Sequence, residues 1–219
     1  MRRFIAASIL SSLATLPLAA QFEGSVLVKT QNAHEGGKAE YFIKGDKVAA
    51  KIFMPQGMGQ YSGKEGRIII DGSAMTVTML MPMEMGGMKG IKQVTDLKAI
   101  AAKQNPVVVT EVGTSETIAG YKCDNIQVVD GKNKTVICMT SHLGHFAIQG
   151  QMGGRGGWTS VFVSHPGFPL RVTEPDGNVS FEVTEVKPGP VSAEMFVIPD
   201  GYMDMSGMMG GMGRGPGGP

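Results

Sequence analysis

The stretch RIIIDGSAMTVTMLMPMEMGG, Arg67 to Gly87, decides how this chain is read. An apolar run, a turn pair and an alternating run follow one another, and a thioether stands at 75, 79, 81, 83 and 85. Side chains alternate across a strand, so a period of two sorts them onto two faces. With Asp71-Gly72 as a two-residue hairpin turn, Ile70 faces Ser73, Ile69 faces Ala74 and Ile68 faces Met75. Met75, Val77, Met79 and Met81 then share a face with Ile68, and Thr76 and Thr78 share the other with Arg67. The expectation is a sheet whose methionine side points inward and whose threonines meet water. Pro82 has no donor and should end the ladder. Met83, Met85 and Met88 then belong to a loop around Gly86 and Gly87.

The same alternation recurs along most of the chain. Phe22–Thr30, Tyr41–Lys44, Val48–Met54, Arg67–Asp71, Ala74–Met81 and Val107–Val112 read as strands, and so do Tyr121–Val129, Lys134–Thr140, Trp158–Val163, Leu170–Glu174 and Val179–Val186. Gly45-Asp46, Asp71-Gly72, Asp130-Gly131 and Asp176-Gly177 separate them as turn signals. Ile91 to Lys103 carries Ile91, Val94, Leu97, Ile100 and Ala101 at helical spacing and is the main predicted helix. Ser141–Gln149 and Ser192–Phe196 are expected as short helical turns. The fold class is mainly β (α+β): an antiparallel sheet with one or more covering helices.

Two basic residues, Arg2 and Arg3, precede an apolar run from Phe4 to Leu18 and the small residues Ala19-Ala20. That is the pattern of a cleavable secretory signal peptide over residues 1–20. The run is too short and too rich in serine for a confident membrane span. The expected organisation is one β-rich domain over 21–202, periplasmic or secreted, and a disordered Met/Gly/Pro tail over 203–219 with too little apolar surface to offset its ordering entropy. No later segment has the length of an integral membrane span. Removing Arg2 and Arg3 leaves 18 basic against 19 acidic side chains, which gives no electrostatic footprint for nucleic acid.

Cys123 and Cys138 are the chain's two cysteines. With Asp130-Gly131 as a two-residue turn they lie directly opposite, about 5.5 Å apart at Cα, within disulfide range. A longer loop, Asp130 to Asn133, offsets them by two positions and keeps them on one face. An exported protein favours the bond, so Cys123–Cys138 is a predicted disulfide.

Four stretches carry a family resemblance: Phe22-Glu23-Gly24, TIAGYKCDNIQVV from Thr117, GFPLRVTE from Gly167 and FVIPDGY from Phe196. Over roughly residues 22 to 203 the chain resembles an exported bacterial domain-of-unknown-function family, number 4412. That family is similar in strand pattern to the periplasmic lipoprotein-carrier (LolA-like) fold. The resemblance implies a curved antiparallel sheet, an incomplete barrel whose helices cover the concave face and hold acyl chains there. It brings no defined catalytic residues.

No Gly-x-Ser-x-Gly elbow, His-Glu-x-x-His or phosphate loop is present, and Ser141-His142 and Ser164-His165 are only sequence neighbours. No enzyme activity and no cofactor are expected. The leading expectation is a binding protein or carrier for an apolar ligand: a lipid, an acyl chain or a lipidated protein. Met75, Met79 and Met81 would line the groove, and Met83, Met85 and Met88 would form a pliable rim, because methionine repacks easily. The alternative is Cu(I) or Ag(I) binding, since thioethers are soft ligands. Met83, Met85 and Met88 with His142 and His145, in Ser-His-Leu-Gly-His, are its candidate donors, joined by the tail methionines Met203, Met205, Met208, Met209 and Met212. A third reading is an envelope interaction module.

Overall fold

The computed structural model describes residues 21–30, 38–53, 63–104, 107–146 and 158–206. The expected signal peptide lies outside the described residues. Twelve strands form one open sheet: β1 (Glu23–Thr30), β2 (Lys38–Lys44), β3 (Lys47–Phe53), β4 (Glu65–Asp71), β5 (Thr76–Met85), β6 (Met88–Asp96), β7 (Val108–Ile118), β8 (Tyr121–Asp130), β9 (Asn133–Thr140), β10 (Phe168–Thr173), β11 (Val179–Pro188) and β12 (Tyr202–Asp204). In space the order is β12-β6-β5-β4-β3-β2-β1-β11-β10-β9-β8-β7. Two antiparallel meanders, β1–β6 and β7–β11, therefore meet at the β1–β11 pair. Helix α1 (Leu97–Ala101) begins the passage from one edge of the sheet to the other. Helix α2 (Trp158–Ser164) follows the second meander's first three strands.

The sheet curls around its core. Tyr41 on β2 and Phe168 on β10 are separated by β1 and β11, about 14 Å in a flat sheet. Their rings nevertheless lie 6.1 Å apart. Phe146 sits among them at 5.4 Å from Tyr41, 4.9 Å from Phe168, 5.6 Å from Phe181 and 5.7 Å from Phe162 of α2. Each such edge-on ring pair adds ~0.5–1.5 kcal/mol beyond its area. Val26, Ile43, Val48, Ile68, Ile70 and Val77 from the first meander share this core with Leu97, Leu143, Val161 and Phe162, all buried. Burial also pushes the Tyr41 hydroxyl well above the usual tyrosine range.

Several sequence expectations need correction. The β4–β5 turn is longer than two residues: Asp71 pairs with Thr76, and Ile68 pairs with Met79, not Met75. The Asp71 carboxylate accepts from the Ala74 amide at 2.9 Å and organises Gly72–Met75 as the turn, with Met75 at φ 54. The shift is even, so Met79 stays on the face of Ile68 while Met75 leaves the strand. The ladder also passes Pro82, which pairs with Gly90. An irregularity follows, then the Met85–Met88 pair. Gly86 and Gly87, at φ 59 and 86, supply the left-handed backbone that a two-residue hairpin turn requires. Met83, expected in a loop, is a buried strand residue.

The predicted helix over Ile91–Lys103 is mostly strand. β6 runs to Asp96, whose carboxylate then caps α1 by accepting from Ala99 N at 3.0 Å. The β5–β6 turn holds Ile91 and Val94 in register with Met81 and Thr78, and β-branched residues suit that pleat. Trp158–Val163 is the converse case. Its alternation reads as strand, but it forms α2 and buries Val161 and Phe162. The expected turn at Ser192–Phe196 is present as a 3₁₀ turn, Ala193–Phe196.

The threonine face is not bare. Thr78 is buried beside Ala49, Ile69 and Leu80. These lie opposite the main core, and the segment after β11 packs over them. Arg67 donates to the carbonyls of Glu194 and Val197, fixing the 3₁₀ turn on this side. Glu23 anchors the start of the same strap. Its backbone carbonyl accepts from Gly189 N at 3.0 Å and its carboxylate from Val191 N at 2.8 Å and Lys44 Nζ at 3.0 Å. The Val191 amide first, then Lys44, holds that carboxyl below the usual glutamate range.

Cys123 and Cys138 are bonded, with Cα atoms 5.3 Å apart. Asp130 pairs with Asn133, so the turn is Gly131-Lys132, neither the Asp130-Gly131 turn nor the four-residue loop; the register is the one offset by two positions, and Cys138 faces Asn125. The two-position offset leaves a diagonal pair still within bonding range. Near it, Arg171 bridges Glu182 and Glu116, and Asn125 donates to Thr114 Oγ1 and Glu116.

Candidate functional site

The site is built where the chain's end rejoins the sheet. β12 pairs in parallel with β6, placing Tyr202 beside Gly90, Met203 beside Ile91 and Asp204 beside Lys92. Met205 N donates to Lys92 O at 2.9 Å and continues the ladder. Five residues expected in or beside the disordered tail, Tyr202 to Ser206, are therefore part of the ordered edge. The other tail methionines, Met208, Met209 and Met212, lie outside the described residues.

Gly90 makes this docking possible. A Cβ there would stand 2.5 Å from the Tyr202 ring and 2.5 Å from the Met81 carbonyl oxygen. Lys92 Nζ reaches Asp204 at 3.2 Å, Lys89 N donates to Gly201 O at 2.9 Å, and Val94 N donates to Ser206 Oγ at 2.8 Å. Ser206 in turn donates to Asp204 from both its hydroxyl and its amide. Those two bonds, more than Lys92, hold the Asp204 carboxyl at about 2.

Register then fixes which residues share a face, because laterally paired residues point the same way. Lys92, Asp204 and Leu80 lie on the strap side. On the opposite side, that of the main core, one row runs Met81–Ile91–Met203. The next runs Met79–Gln93 and, through the continued ladder, Met205. Met79 packs against the core. Met81, Ile91, Gln93 and Met205 are half-buried, and Met203 is 43% exposed. The core face thus extends past the covering helices as a thioether-rich surface open to solvent.

Met79 and Met81 of the predicted groove meet here, joined by Met203 and Met205 from the expected tail. Met75 does not: it sits in the β4–β5 turn, where its carbonyl accepts from Leu97 N at 3.0 Å. Met83 is buried outside the main core, and Met88 flanks the hairpin turn. Leu97 of α1 and Phe162 of α2 are buried with Leu143 and Phe146 in the main core.

The histidines are elsewhere. His145 lies over Gly72, with Nδ1 4.0 Å from Asp46 Oδ1, while Ser73 donates to Asp46 Oδ2 at 2.7 Å. His142 is exposed. From the Asp71–Thr76 pair to Met83 is about 23 Å along β5. The proposed donor set of Met83, Met85, Met88, His142 and His145 is therefore not brought together. Ser164 and His165 do touch, with Oγ 2.8 Å from Nδ1. The hydroxyl is equally 2.8 Å from Ser160 O, the usual helical back-bond. Among the described residues, no helix is long and apolar enough to cross a membrane.

No curated protein matches the chain. Solved structures of PNGF-II in the P21 and C2 space groups are similar to it, each at 15% identity and TM-score 0.53 over 86% of this chain. The chain spans about a third of that protein's length, 32%. At that identity the likeness shows the fold: a β architecture shared with part of a larger protein. The family model for a domain of unknown function, DUF4412, matches residues 22–202, from the residue before β1 to the first residue of β12. The chain belongs to the DUF4412 family, and its four marker stretches fall at the start of β1, the β7–β8 hairpin, β10 and the edge-docking strap.

Proposed function

We propose that this protein is a non-catalytic binding protein for an apolar ligand, a lipid, acyl chain or lipidated protein, exported through its amino-terminal signal to the periplasm. The observation that carries this reading is the row Met81–Ile91–Met203 beside Met79 and Met205, on the core face yet open to water. Unlike a groove beneath the helices, this surface needs no repacking of the aromatic core to accept a chain. Methionine's unbranched, rotatable thioether lets such a surface adapt to ligands of different shape. The carrier-like resemblance in strand pattern supports the same class of ligand.

Native mass spectrometry of protein recovered from its export compartment without denaturant tests the proposal. The expected result is co-purifying lipid or, after delipidation, uptake of oleate at a one-to-one ratio. Met81→Glu places a carboxylate that any bound chain must desolvate, and uptake should fall at least tenfold. Unchanged uptake by a folded Met81→Glu protein would place the ligand elsewhere or nowhere.

A further inference from the structure

The open face has a second chemistry that an apolar seat does not require. Leucine or isoleucine would serve to bind a lipid, but four of its positions are thioethers drawn from two distant parts of the chain. Met79 and Met81 come from β5, and Met203 and Met205 from β12 and its continuation. Each pair is spaced two residues apart, about 7 Å along its strand, and the two strands flank β6 at about 10 Å from each other. A methionine sulfur stands on three rotatable bonds, so side chains leaning across Ile91 and Gln93 can bring sulfurs from both pairs to one point. Lys92 and Asp204 pair with each other on the opposite face, which leaves the neutral amide of Gln93 as the oxygen donor within these two rows.

We infer that Met79, Met81, Met203 and Met205 form a binding site for a soft monovalent ion, Cu(I) or Ag(I), at the β5–β6–β12 edge. Thioether-only coordination selects these ions over zinc or harder divalent metals, which want imidazole, thiolate or oxygen. Neutral ligands leave the ion's single charge uncompensated, which suits a half-exposed face better than a sealed core. The edge-docking contacts then acquire a role. The Tyr202–Gly90 packing and the Asp204–Lys92 pair hold the second pair of sulfurs opposite the first. The site differs from a Met-loop and histidine set in both composition and location, and it does not depend on the apolar-ligand reading.

The test uses the full mature chain with Cu(I) held in ascorbate and bathocuproine disulfonate as competing chelator. The native protein should withdraw one equivalent of Cu(I) from the chelator. Replacing all four residues by leucine conserves volume and apolar character and should weaken Cu(I) retention at least tenfold, with circular dichroism and the denaturation midpoint showing that the protein is still folded. Met203→Leu, at an exposed position, should weaken it severalfold without touching the fold. Met75→Leu, at the other end of β5, should have no effect. Failure of the native protein to compete, or full retention by the four-leucine protein, overturns the site. Oleate uptake by the native protein in the absence of copper reports separately on the lipid proposal, so each idea can fall without the other.

Discussion

The two ends of β5 share one strand and one alternation but differ in what lies over them. At the Thr76 end the turn is tied down: Asp71 caps it, Met75 O accepts from the start of α1, and His145 is pressed onto Gly72. The core beside this end is sealed by Phe146 and the two short helices. At the Met81 end the same face continues along the sheet, and its described partners are a hairpin and a three-residue edge strand, with Met203 exposed. A strand's period of two decides which way a side chain points. Whether that direction ends in a core or in a binding surface depends on how far the covering elements reach. The methionines are spread across both cases, so their abundance alone says little about their role.

The contrast can be broken most severely at the sealed end. Phe146→Ala removes the ring at the centre of the aromatic cluster and should cost ~3–5 kcal/mol, read as a lower denaturation midpoint. A loss below about 1 kcal/mol would mean that the region under the helices is not close-packed. Reducing the Cys123–Cys138 bond, or replacing both residues by serine, should cost about 3 kcal/mol for its 15-residue separation. That loss should leave ligand uptake at the β5–β6–β12 edge intact once the protein is folded, since the bond lies in the other meander.

Milder changes should act at the open end alone. Gly90→Val forces a side chain into the Tyr202 ring and the Met81 carbonyl, an overpacking cost of about 1–3 kcal/mol. Hydrogen exchange at the Met203 and Met205 amides should rise sharply, with the β1–β4 amides unaffected. Protection that survives the substitution would mean that β12 does not depend on this contact. Acid should release the same edge more gently. The Asp204 carboxyl is depressed to about 2, so its stabilising effect is complete above the ordinary aspartate value near 4 and is lost as pH falls toward 2. Local exchange at residues 202–206 should therefore rise across that window, and Asp204→Asn should abolish the pH dependence.

Much of the β framework was legible from alternation and turn residues, because a pleated half-buried strand writes its period directly into sequence. The disulfide was legible for the same reason, even with the hairpin register offset by two. What alternation does not encode is turn length. Asp71 capped a longer turn than its Asp-Gly pair signals, although the even shift spared the face assignment of Met79 and Met81. Nor does it encode coverage. Thr78 is sealed because Arg67 pins a strap from 127 residues downstream, and no local pattern around Thr78 records that. Ile91–Asp96 and Trp158–Ser164 exchanged their expected states because hairpin pairing and core burial outweigh weak local preference. Met203 and Met205 looked like part of a featureless tail. The signal that bears on them was the neighbouring Gly-Tyr, whose ring needs the bare backbone of Gly90.

An apolar chain seated on the core face at Met79, Met81, Met203 and Met205 would report on itself through their methyl groups. Methyl NMR of protein labelled at the methionine ε-carbons, titrated with oleate, tests this seating most directly. Shifts at those four methyls should saturate together, with Met75 and Met83 unmoved. Saturable shifts confined to Met75 or Met83, or no saturable shift at any methionine, would contradict it.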